Sequence, residues 1–313
     1  MEEHRYAEVN GVRLHYVTAG QGPLILFVHG FPEFWYAWRA QLAHFARDHQ
    51  AVAFDMRGHN LSSKPADVGD YAISHLVSDL AALADHLGHR RFVLVGHDWG
   101  GAVAWAFAIR HPERLERLVI VNAPHPAVFA RELRDNPAQQ KASEYMLAFR
   151  SAKAEQMLSA DHYAALVQAV LGEGLARGYV TEGDRDEYLK AWSQPGALTG
   201  GLNYYRAARV GPPSRDGAPA SGTLGVEDNA TVVSVPTLVI WGEQDTALLP
   251  GNLDGLDRYV PDLTVRRVPD GSHWIIHEQP ELINRYIREH LGREQGAEQR
   301  PSPSLARRSL PAT

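Results

Sequence analysis

The chain has 313 residues, 44% of them hydrophobic, which suffices for one large α/β domain or a domain with an insertion. Its formal net charge of -6 is mild and no run of basic residues stands out, which argues against nucleic acid or an anionic membrane as a partner. Cysteine is absent, which excludes disulfides, a thiol nucleophile and cysteine-bound metals. We therefore expect a soluble globular protein that acts on small molecules.

The stretch MEEHRYAEVNG at the start is acidic and polar, and no later apolar run is long enough to span a bilayer. A secretory signal needs a basic segment followed by an apolar one, and this stretch has neither. We therefore expect a cytoplasmic protein that does not bind membranes.

Short β-type runs alternate with helical patterns in the first part of the chain, which is typical of a mainly parallel sheet flanked by helices. Asn10 and Gly11 predict the turn of a β-hairpin, and LILFVHG predicts a buried strand. An aromatic helix from about Trp35, the strand AVAFDMRG, the helix ISHLVSDLAALADHLG and the strand FVLVGHD follow. A helix toward Arg110 and the strand LERLVIVNAP come next.

The alternation then stops. Residues 125–233 read as helical segments and polar loops without a clear strand, so we interpret them as a helical cap inserted into the domain. The strands VPTLVIWGEQD and LTVRRVPDGSH restore the sheet pattern in residues 234–291. We predict that residues 1–124 and 234–291 form the core, and that the polar, Pro- and Ser-rich tail, 292–313, is disordered.

The stretch VLVGHDWGGAVAW has the form of a strand, a sharp turn and a helix, with Asp98 at the turn. A nucleophile on such a turn is strained and brings backbone segments close together, so small residues must flank it. Gly96, Gly100 and Gly101 meet that need. Asp98 could instead serve only as a helix N-cap. The strand predicted before it and the helix predicted after it favour a nucleophile.

Further candidate residues follow other predicted strands. Asp245 in WGEQD and His273 in DGSHW each lie just past a strand end, and Phe31 follows LILFVHG. The order of nucleophile, acid and base along the chain is the α/β-hydrolase order. We predict a triad of Asp98, Asp245 and His273, and an oxyanion hole formed by the backbone N–H groups of Phe31 and Trp99.

A carboxylate nucleophile restricts the chemistry. Its attack on an ester carbonyl would give an anhydride, whereas its attack on an sp³ carbon gives an ester that water can then open. Epoxides and alkyl halides are the two obvious electrophiles. Because Asp98 is already anionic, the pair of His273 and Asp245 is free to deprotonate the water of the second step.

The stretches HGFPEFWYAWRAQ, GHDWGG, NAPHP, SEYMLAF and NYYR resemble those of the soluble-type epoxide hydrolases of the α/β-hydrolase fold, bacterial members especially. This resemblance covers nearly all of the chain up to the tail. It implies a mostly parallel sheet with flanking helices and a helical cap, and an enzyme that opens an epoxide to a vicinal diol. It also implies that Tyr145 of SEYMLAF and Tyr205 of NYYR project from the cap toward Asp98. One departure is Asn60 in RGHNLS, where many relatives have glycine, and we expect it in a surface turn.

The leaving group separates the two electrophiles. A halide leaves as a stable anion, whereas an epoxide oxygen leaves as a basic alkoxide that needs a proton or strong O–H donors. Tyr145 and Tyr205 meet the second need, although Tyr145 and Phe149 could simply form the buried face of a helix. Tyr204 and Tyr205 diverge by roughly 100° on a helix, so only one can face Asp98, and the resemblance selects Tyr205.

A haloalkane dehalogenase is the alternative. Dehalogenases also carry HDWG, and they hold the halide with the indole N–H of the tryptophan that corresponds to Trp99. A hydrolase-like receptor without turnover is a third hypothesis, which the intact triad opposes. The two histidines of HWIIH, His273 and His277, are a weaker indication of a metal site, since no carboxylate motif accompanies them.

Aromatic side chains next to these motifs predict a pocket for a lipophilic epoxide, although some of them could be ordinary core residues. The candidates for its lining are Phe34, Trp35, Phe149 and Trp274. We expect no cofactor and no metal, an epoxide and water as the small-molecule partners, and a monomer or homodimer.

Overall fold

The computed structural model describes residues 2–213, 221 and 231–292. Within these ranges, eight strands form one sheet: β1 (Glu3–Val9), β2 (Val12–Ala19), β3 (Leu24–Val28), β4 (Gln50–Phe54), β5 (Phe92–His97), β6 (Leu115–Val121), β7 (Thr237–Gly242) and β8 (Leu263–Val268). Their spatial order is β1-β2-β4-β3-β5-β6-β7-β8. The first two pairings are antiparallel and the pairings from β4 to β8 are parallel.

The same ranges contain twelve α-helices: α1 (Arg39–Phe45), α2 (Ile73–His86), α3 (Trp99–Arg110), α4 (Pro126–Asp135), α5 (Pro137–Ala142), α6 (Glu144–Arg150), α7 (Ala154–Leu166), α8 (Gly172–Arg177), α9 (Glu182–Trp192), α10 (Ala197–Ala208), α11 (Ile275–Glu278) and α12 (Pro280–Leu291). A short 3₁₀ segment, Trp35–Trp38, precedes α1, and a π-helical turn, Val167–Leu171, precedes α8. Of the helices described, none is both long and apolar enough to cross a bilayer.

Hydrophobic burial explains the sheet. Every residue of β3, β5 and β7 is buried, as expected for parallel strands that helices cover on both faces. Asn10 and Gly11 join β1 to β2 with φ values of 49° and 75°, the left-handed backbone that a two-residue hairpin turn requires. The predicted hairpin and the predicted mainly parallel sheet are both confirmed.

Helices α4 to α10 lie between β6 and β7, in the interval that the sequence predicts as an insertion. Buried hydrogen bonds attach this helical layer to the core: the Trp192 indole donates to the carbonyl of Pro32 at 2.6 Å, and the Tyr204 hydroxyl donates to the carbonyl of Arg57 at 2.8 Å. The domain boundaries stay a prediction. The tail predicted to be disordered lies outside the described residues, apart from Gly292.

The structure corrects the expectation for Asn60. Asn60 does lie in a turn, with a left-handed φ of 38°, but only 8% of its surface is exposed. Its amide donates to Asp55 at 2.9 Å, and Asp55 is fully buried and also accepts from His15 and the Trp35 backbone. A buried carboxylate needs such donors, and the Asn60 side chain supplies one that glycine could not.

Parallel strands bring their carboxyl ends to one edge of the sheet, and ligands bind there in open α/β sheets. Phe31, Asp98, Asn122, Asp245 and His273 all follow or lie just beyond the ends of parallel strands at this edge. These five residues therefore mark the edge of the sheet where a site is expected.

Candidate active site

Asp98 occupies the sharp turn between β5 and α3. Its φ of 50° and ψ of -122° are rare for a residue with a side chain, so the turn is strained. Asp98 stands at the N-cap position of α3, yet its side chain makes no capping hydrogen bond, which counts against the N-cap alternative. A Cβ on Gly96 would lie 2.5 Å from the carbonyl oxygen of Gly100, and one on Gly100 would overlap the carbonyl of Val28. Small residues are thus required here, as predicted.

The Asp98 carboxylate lies between an amide and an imidazole. The Phe31 N–H donates to Oδ1 at 2.9 Å, and Nε2 of His273 lies 3.6 Å from Oδ2. Trp99 is the first residue of α3, where a backbone N–H has no acceptor within the helix. The two amides of the predicted oxyanion hole therefore both lie beside Asp98.

His273 is held by Asp245, whose Oδ2 lies 2.7 Å from Nδ1 of the imidazole. Asp245 also accepts hydrogen bonds from the Asn122 side chain and from the backbone N–H groups of Ala247 and Leu248, each at 2.8 Å. Asn122, which was not predicted from the sequence, follows β6 and has a left-handed φ of 41°. These hydrogen bonds fix the position of Asp245, and Asp245 in turn holds the His273 ring by its Nδ1 atom.

The electrostatics of the triad follow from these contacts. Burial by itself raises the pKa of Asp245, but the charge of His273 and the hydrogen-bond donors around the carboxylate lower it below its usual value. Burial by itself lowers the pKa of His273, but the Asp245 carboxylate, and after it Asp98, raise that pKa to about 9. The acidic side chains on either side of His273 thus favour its protonated form in the free enzyme.

Tyr145 of α6 and Tyr205 of α10 line one cavity together with Asp98. Their ring centroids are 6.3 Å apart. Burial, reinforced by the charge of Asp98, raises the pKa of both phenols well above the usual value. Both hydroxyls thus stay protonated and can donate hydrogen bonds into the cavity.

Tyr204 is directed elsewhere, because its hydroxyl donates to the Arg57 carbonyl. The two adjacent tyrosines diverge on α10, as helix geometry requires. The Trp99 ring packs edge-on against Tyr205, with the ring centroids 5.1 Å apart.

The remaining lining of the cavity is apolar. It includes Trp99, Ala102, Pro124, Pro126, Phe129, Met146 and Leu248. Apolar walls around a few polar groups are typical of small-molecule sites. The chemistry of the lining agrees with the prediction, but its members differ from the predicted ones.

None of the four predicted lining residues borders this cavity. Phe34 packs against Tyr188, Trp35 against His4 and Trp274 against His273, with ring centroids about 5 Å apart. Phe149 packs edge-on against Tyr145 and Tyr205, with ring centroids 5.2 Å apart. Proximity to a motif in sequence fixes the segment that lies near the site, but the direction of each side chain depends on tertiary packing.

Residues 23–280 match the profile of the α/β hydrolase fold family. An epoxide hydrolase from Bacillus megaterium, crystallised with an inhibitor, is 39% identical to this chain, and the alignment covers 92% of this chain and 100% of that one with a TM-score of 0.87. Epoxide hydrolase 2 of Caenorhabditis elegans is 33% identical over 93% of this chain and 80% of its own length. Epoxide hydrolase 4 of Mus musculus is 35% identical over 91% and 78%.

The chain belongs to the epoxide hydrolases of the α/β-hydrolase fold. The predicted family, fold class and enzyme class are thus confirmed. The predicted triad lies beyond the carboxyl ends of parallel strands, where this fold places its site.

The epoxide hydrolase also contains a buried charge network that the sequence analysis missed. Glu33, 1% exposed, accepts from Nδ1 of His97 at 3.1 Å, Nε2 of His277 at 2.5 Å and the Tyr188 hydroxyl at 3.1 Å. His97 in turn contacts the backbone carbonyl of His273 through Nε2 at 2.9 Å. Burial by itself raises the pKa of Glu33, but the imidazoles of His277 and His97 lower it well below the usual value.

The two histidines of HWIIH, His273 and His277, have different partners. His273 faces Asp245 and Asp98, whereas His277 faces Glu33, so the two imidazoles do not converge on one point. Across the described ranges, no group of three or more His, Cys, Asp or Glu side chains is arranged to hold a metal ion.

Replacing Glu33 with Gln should lower the free energy of unfolding by about 3 kcal/mol at pH 7, because it leaves buried imidazoles without their carboxylate. Urea denaturation measures the loss. Glu243→Gln serves as the control, since Glu243 pairs with Arg267 at a partly exposed site and should cost at most about 1 kcal/mol. Equal losses for the two variants would contradict a stabilising role for the buried network.

Proposed function

We propose that the enzyme opens a lipophilic epoxide to a vicinal diol through a covalent ester on Asp98. The observation that carries this proposal is that a carboxylate and two protonated phenols, Tyr145 and Tyr205, face the same apolar cavity. A carboxylate attacks an sp³ carbon, and phenols assist the departure of a basic oxygen. Epoxide opening requires both groups at once.

In the first step, a carboxylate oxygen of Asp98 bonds to a ring carbon, and the bond between that carbon and the epoxide oxygen breaks. The electron pair stays on the oxygen, which takes a proton or strong hydrogen bonds from the phenols of Tyr145 and Tyr205. The strained turn and the Phe31 amide hold Asp98 in position for this attack.

In the second step, water attacks the carbonyl carbon of the ester, and His273 takes its proton. Before the reaction, the charges of Asp245 and Asp98 keep the pKa of His273 at about 9, too high for an efficient base at pH 7. Formation of the ester neutralises Asp98, so the pKa of His273 falls and the imidazole becomes a base when one is needed. The N–H groups of Phe31 and Trp99 then stabilise the tetrahedral oxyanion. Its collapse breaks the bond between the carbonyl carbon and the substrate oxygen, which takes the proton from His273 and leaves as a hydroxyl of the diol, and Asp98 is restored as a carboxylate.

Haloalkane dehalogenation is supported less well. A halide leaves as a stable anion, so it needs weak N–H donors and no proton. Two phenols opposite the nucleophile have no task in that reaction. The relatives described above are named epoxide hydrolases, which also favours epoxide opening over dehalogenation.

A single turnover in ¹⁸O water with excess enzyme tests the covalent step. The first diol should be free of label by mass spectrometry, because its new oxygen comes from Asp98, while solvent oxygen enters the carboxylate. Enzyme cycled beforehand in ¹⁸O water and returned to ordinary water should release labelled diol, which is the positive control. Stoichiometric label in the first diol would mean direct attack by water.

Replacing His273 with Gln should spare formation of the ester and stall its hydrolysis, because only the second step needs a base. Mass spectrometry of the variant after exposure to an epoxide should show the protein plus one epoxide mass. His75, exposed on α2, provides the matched control, and His75→Gln should turn over normally without a stable adduct. A His273→Gln enzyme with wild-type turnover would remove this imidazole from the mechanism.

Phe substitutions at Tyr145 and Tyr205 should slow ester formation in single-turnover experiments. Proton donation is worth about 10² to 10⁴ in rate, so each single variant should lose part of the rate and the double variant nearly all of it. Each tenfold loss corresponds to about 1.4 kcal/mol of transition-state stabilisation.

Tyr204→Phe is the matched control for these variants. It removes a hydroxyl that bonds the Arg57 carbonyl, so it should cost about 1 kcal/mol of stability and change the rate little. If a double variant at Tyr145 and Tyr205 keeps full activity on epoxides, the two phenols contribute only to packing and not to the reaction.

A further inference from the structure

Helix α9 contacts the loop that carries Phe31. Residues four apart on a helix share one face, and three such residues of α9 reach this loop and the segment after it. The contacts are those of the Asp184 carboxylate with the Tyr36 hydroxyl at 2.9 Å, of the Tyr188 hydroxyl with Glu33 at 3.1 Å, and of the Trp192 indole N–H with the Pro32 carbonyl at 2.6 Å. The helical layer therefore holds this loop from one face of a single helix.

The contact of Trp192 begins a chain of hydrogen bonds that runs through the loop backbone. Trp192 is buried, and its indole donates to the Pro32 carbonyl. That carbonyl belongs to the same peptide group as the Glu33 N–H. The Glu33 N–H donates in turn to the carbonyl of Gly30 at 3.0 Å. A donor of the helical layer is thus linked through one peptide group to the carbonyl of Gly30.

A second peptide group extends the chain to Asp98. The Gly30 carbonyl and the Phe31 N–H belong to this group, and the N–H donates to Oδ1 of Asp98 at 2.9 Å. His29 supports the same carbonyl, with its Nδ1 at 2.8 Å, while its Nε2 accepts from the Met56 N–H and so leaves the ring proton on Nδ1. Every link of the chain donates in the same direction, from the indole toward the carboxylate.

Hydrogen bonds in such a chain strengthen one another, because a peptide carbonyl that accepts a hydrogen bond makes the N–H of its own group a better donor. The last donor of this chain is the Phe31 N–H of the proposed oxyanion hole. We propose that Trp192 is a positioning residue, whose indole N–H orients and polarises the Phe31 N–H through two peptide groups and so promotes hydrolysis of the ester. This inference rests on the proposed function, since it requires a covalent ester on Asp98.

The two steps of the reaction use the Phe31 N–H differently. Before the first step this N–H donates to an anionic oxygen, and the bond weakens as the carboxylate loses its charge, so a stronger donor does not accelerate ester formation. With Oδ2 as the attacking atom, Oδ1 becomes the carbonyl oxygen of the ester and gains negative charge when water adds. A stronger donor then stabilises the transition state of hydrolysis.

Trp192→Phe tests the proposal, because it removes the indole N–H and keeps an aromatic ring. In single turnovers with styrene oxide, rapid quenching and mass spectrometry follow the formation and the loss of the ester. Hydrolysis should slow about tenfold, which is less than the 10² to 10³ that removal of a whole oxyanion donor costs. Ester formation should not slow, so the ratio of the hydrolysis rate to the formation rate should fall about tenfold.

A second change at the same position isolates the N–H group. Incorporation of benzothienylalanine in place of Trp192 replaces the N–H with sulfur and keeps the shape of the ring. It should lower the ratio in the same direction, which keeps the test open if Trp192→Phe does not fold.

Two control variants should leave the ratio unchanged. Trp38 is buried in the segment after the same loop, and its indole N–H has no hydrogen-bond partner among the residues that the structure describes, so Trp38→Phe removes a ring without breaking a chain. The Tyr163 hydroxyl donates to the backbone carbonyl of Trp192 at 3.2 Å, so Tyr163→Phe loosens the end of α9 and keeps the indole N–H.

An unchanged ratio in a folded Trp192 variant would overturn the proposal, and so would an equal loss in both steps, because a merely structural role would not separate them. If the wild-type enzyme forms no ester with styrene oxide, the proposed function fails instead, so the two failures are distinguishable.

Discussion

The close approach of backbone segments at the turn between β5 and α3 is the constraint on which the site depends. Gly96 and Gly100 have no side chains because the carbonyls of Gly100 and Val28 occupy the space where a Cβ would lie. This closeness holds Asp98 at a positive φ, so the carboxylate stands clear of the sheet and within reach of Phe31 and His273. The strain at one residue is maintained by packing of the whole strand–turn–helix unit.

Charge balance is the second organising factor. Asp245 and Asp98 lie on either side of His273, and Glu33 contacts His97 and His277 a short distance away. Buried carboxylates of this kind are tolerated because each has N–H donors or an imidazole beside it. The proposed mechanism uses that balance, since loss of one negative charge at Asp98 changes the basicity of His273.

The helical layer between β6 and β7 supplies aromatic side chains that the edge of the sheet does not provide. It brings Tyr145 and Tyr205 to the cavity that Asp98 lines, it ties Tyr204 to the core through Arg57, and it packs Phe149 edge-on against both phenol rings. One layer therefore provides the proposed proton donors and part of the cavity wall. The proposed chemistry depends on this aromatic packing.

Local rules determined much of this protein from sequence. Alternating β-type and helical patterns predicted the sheet and its flanking helices, and the glycines around Asp98 predicted the sharp turn, because backbone sterics act within a few residues. Asp245 and His273 could be predicted as site residues because each follows a strand. Parallel strands bring their carboxyl ends to one edge of the sheet. Tertiary packing decided what local rules cannot specify: the absence of Phe34, Trp35 and Trp274 from the cavity lining, and the burial of Asn60. The network around Glu33 joins residues 64 and 244 positions apart, so no local sequence signal could have indicated it.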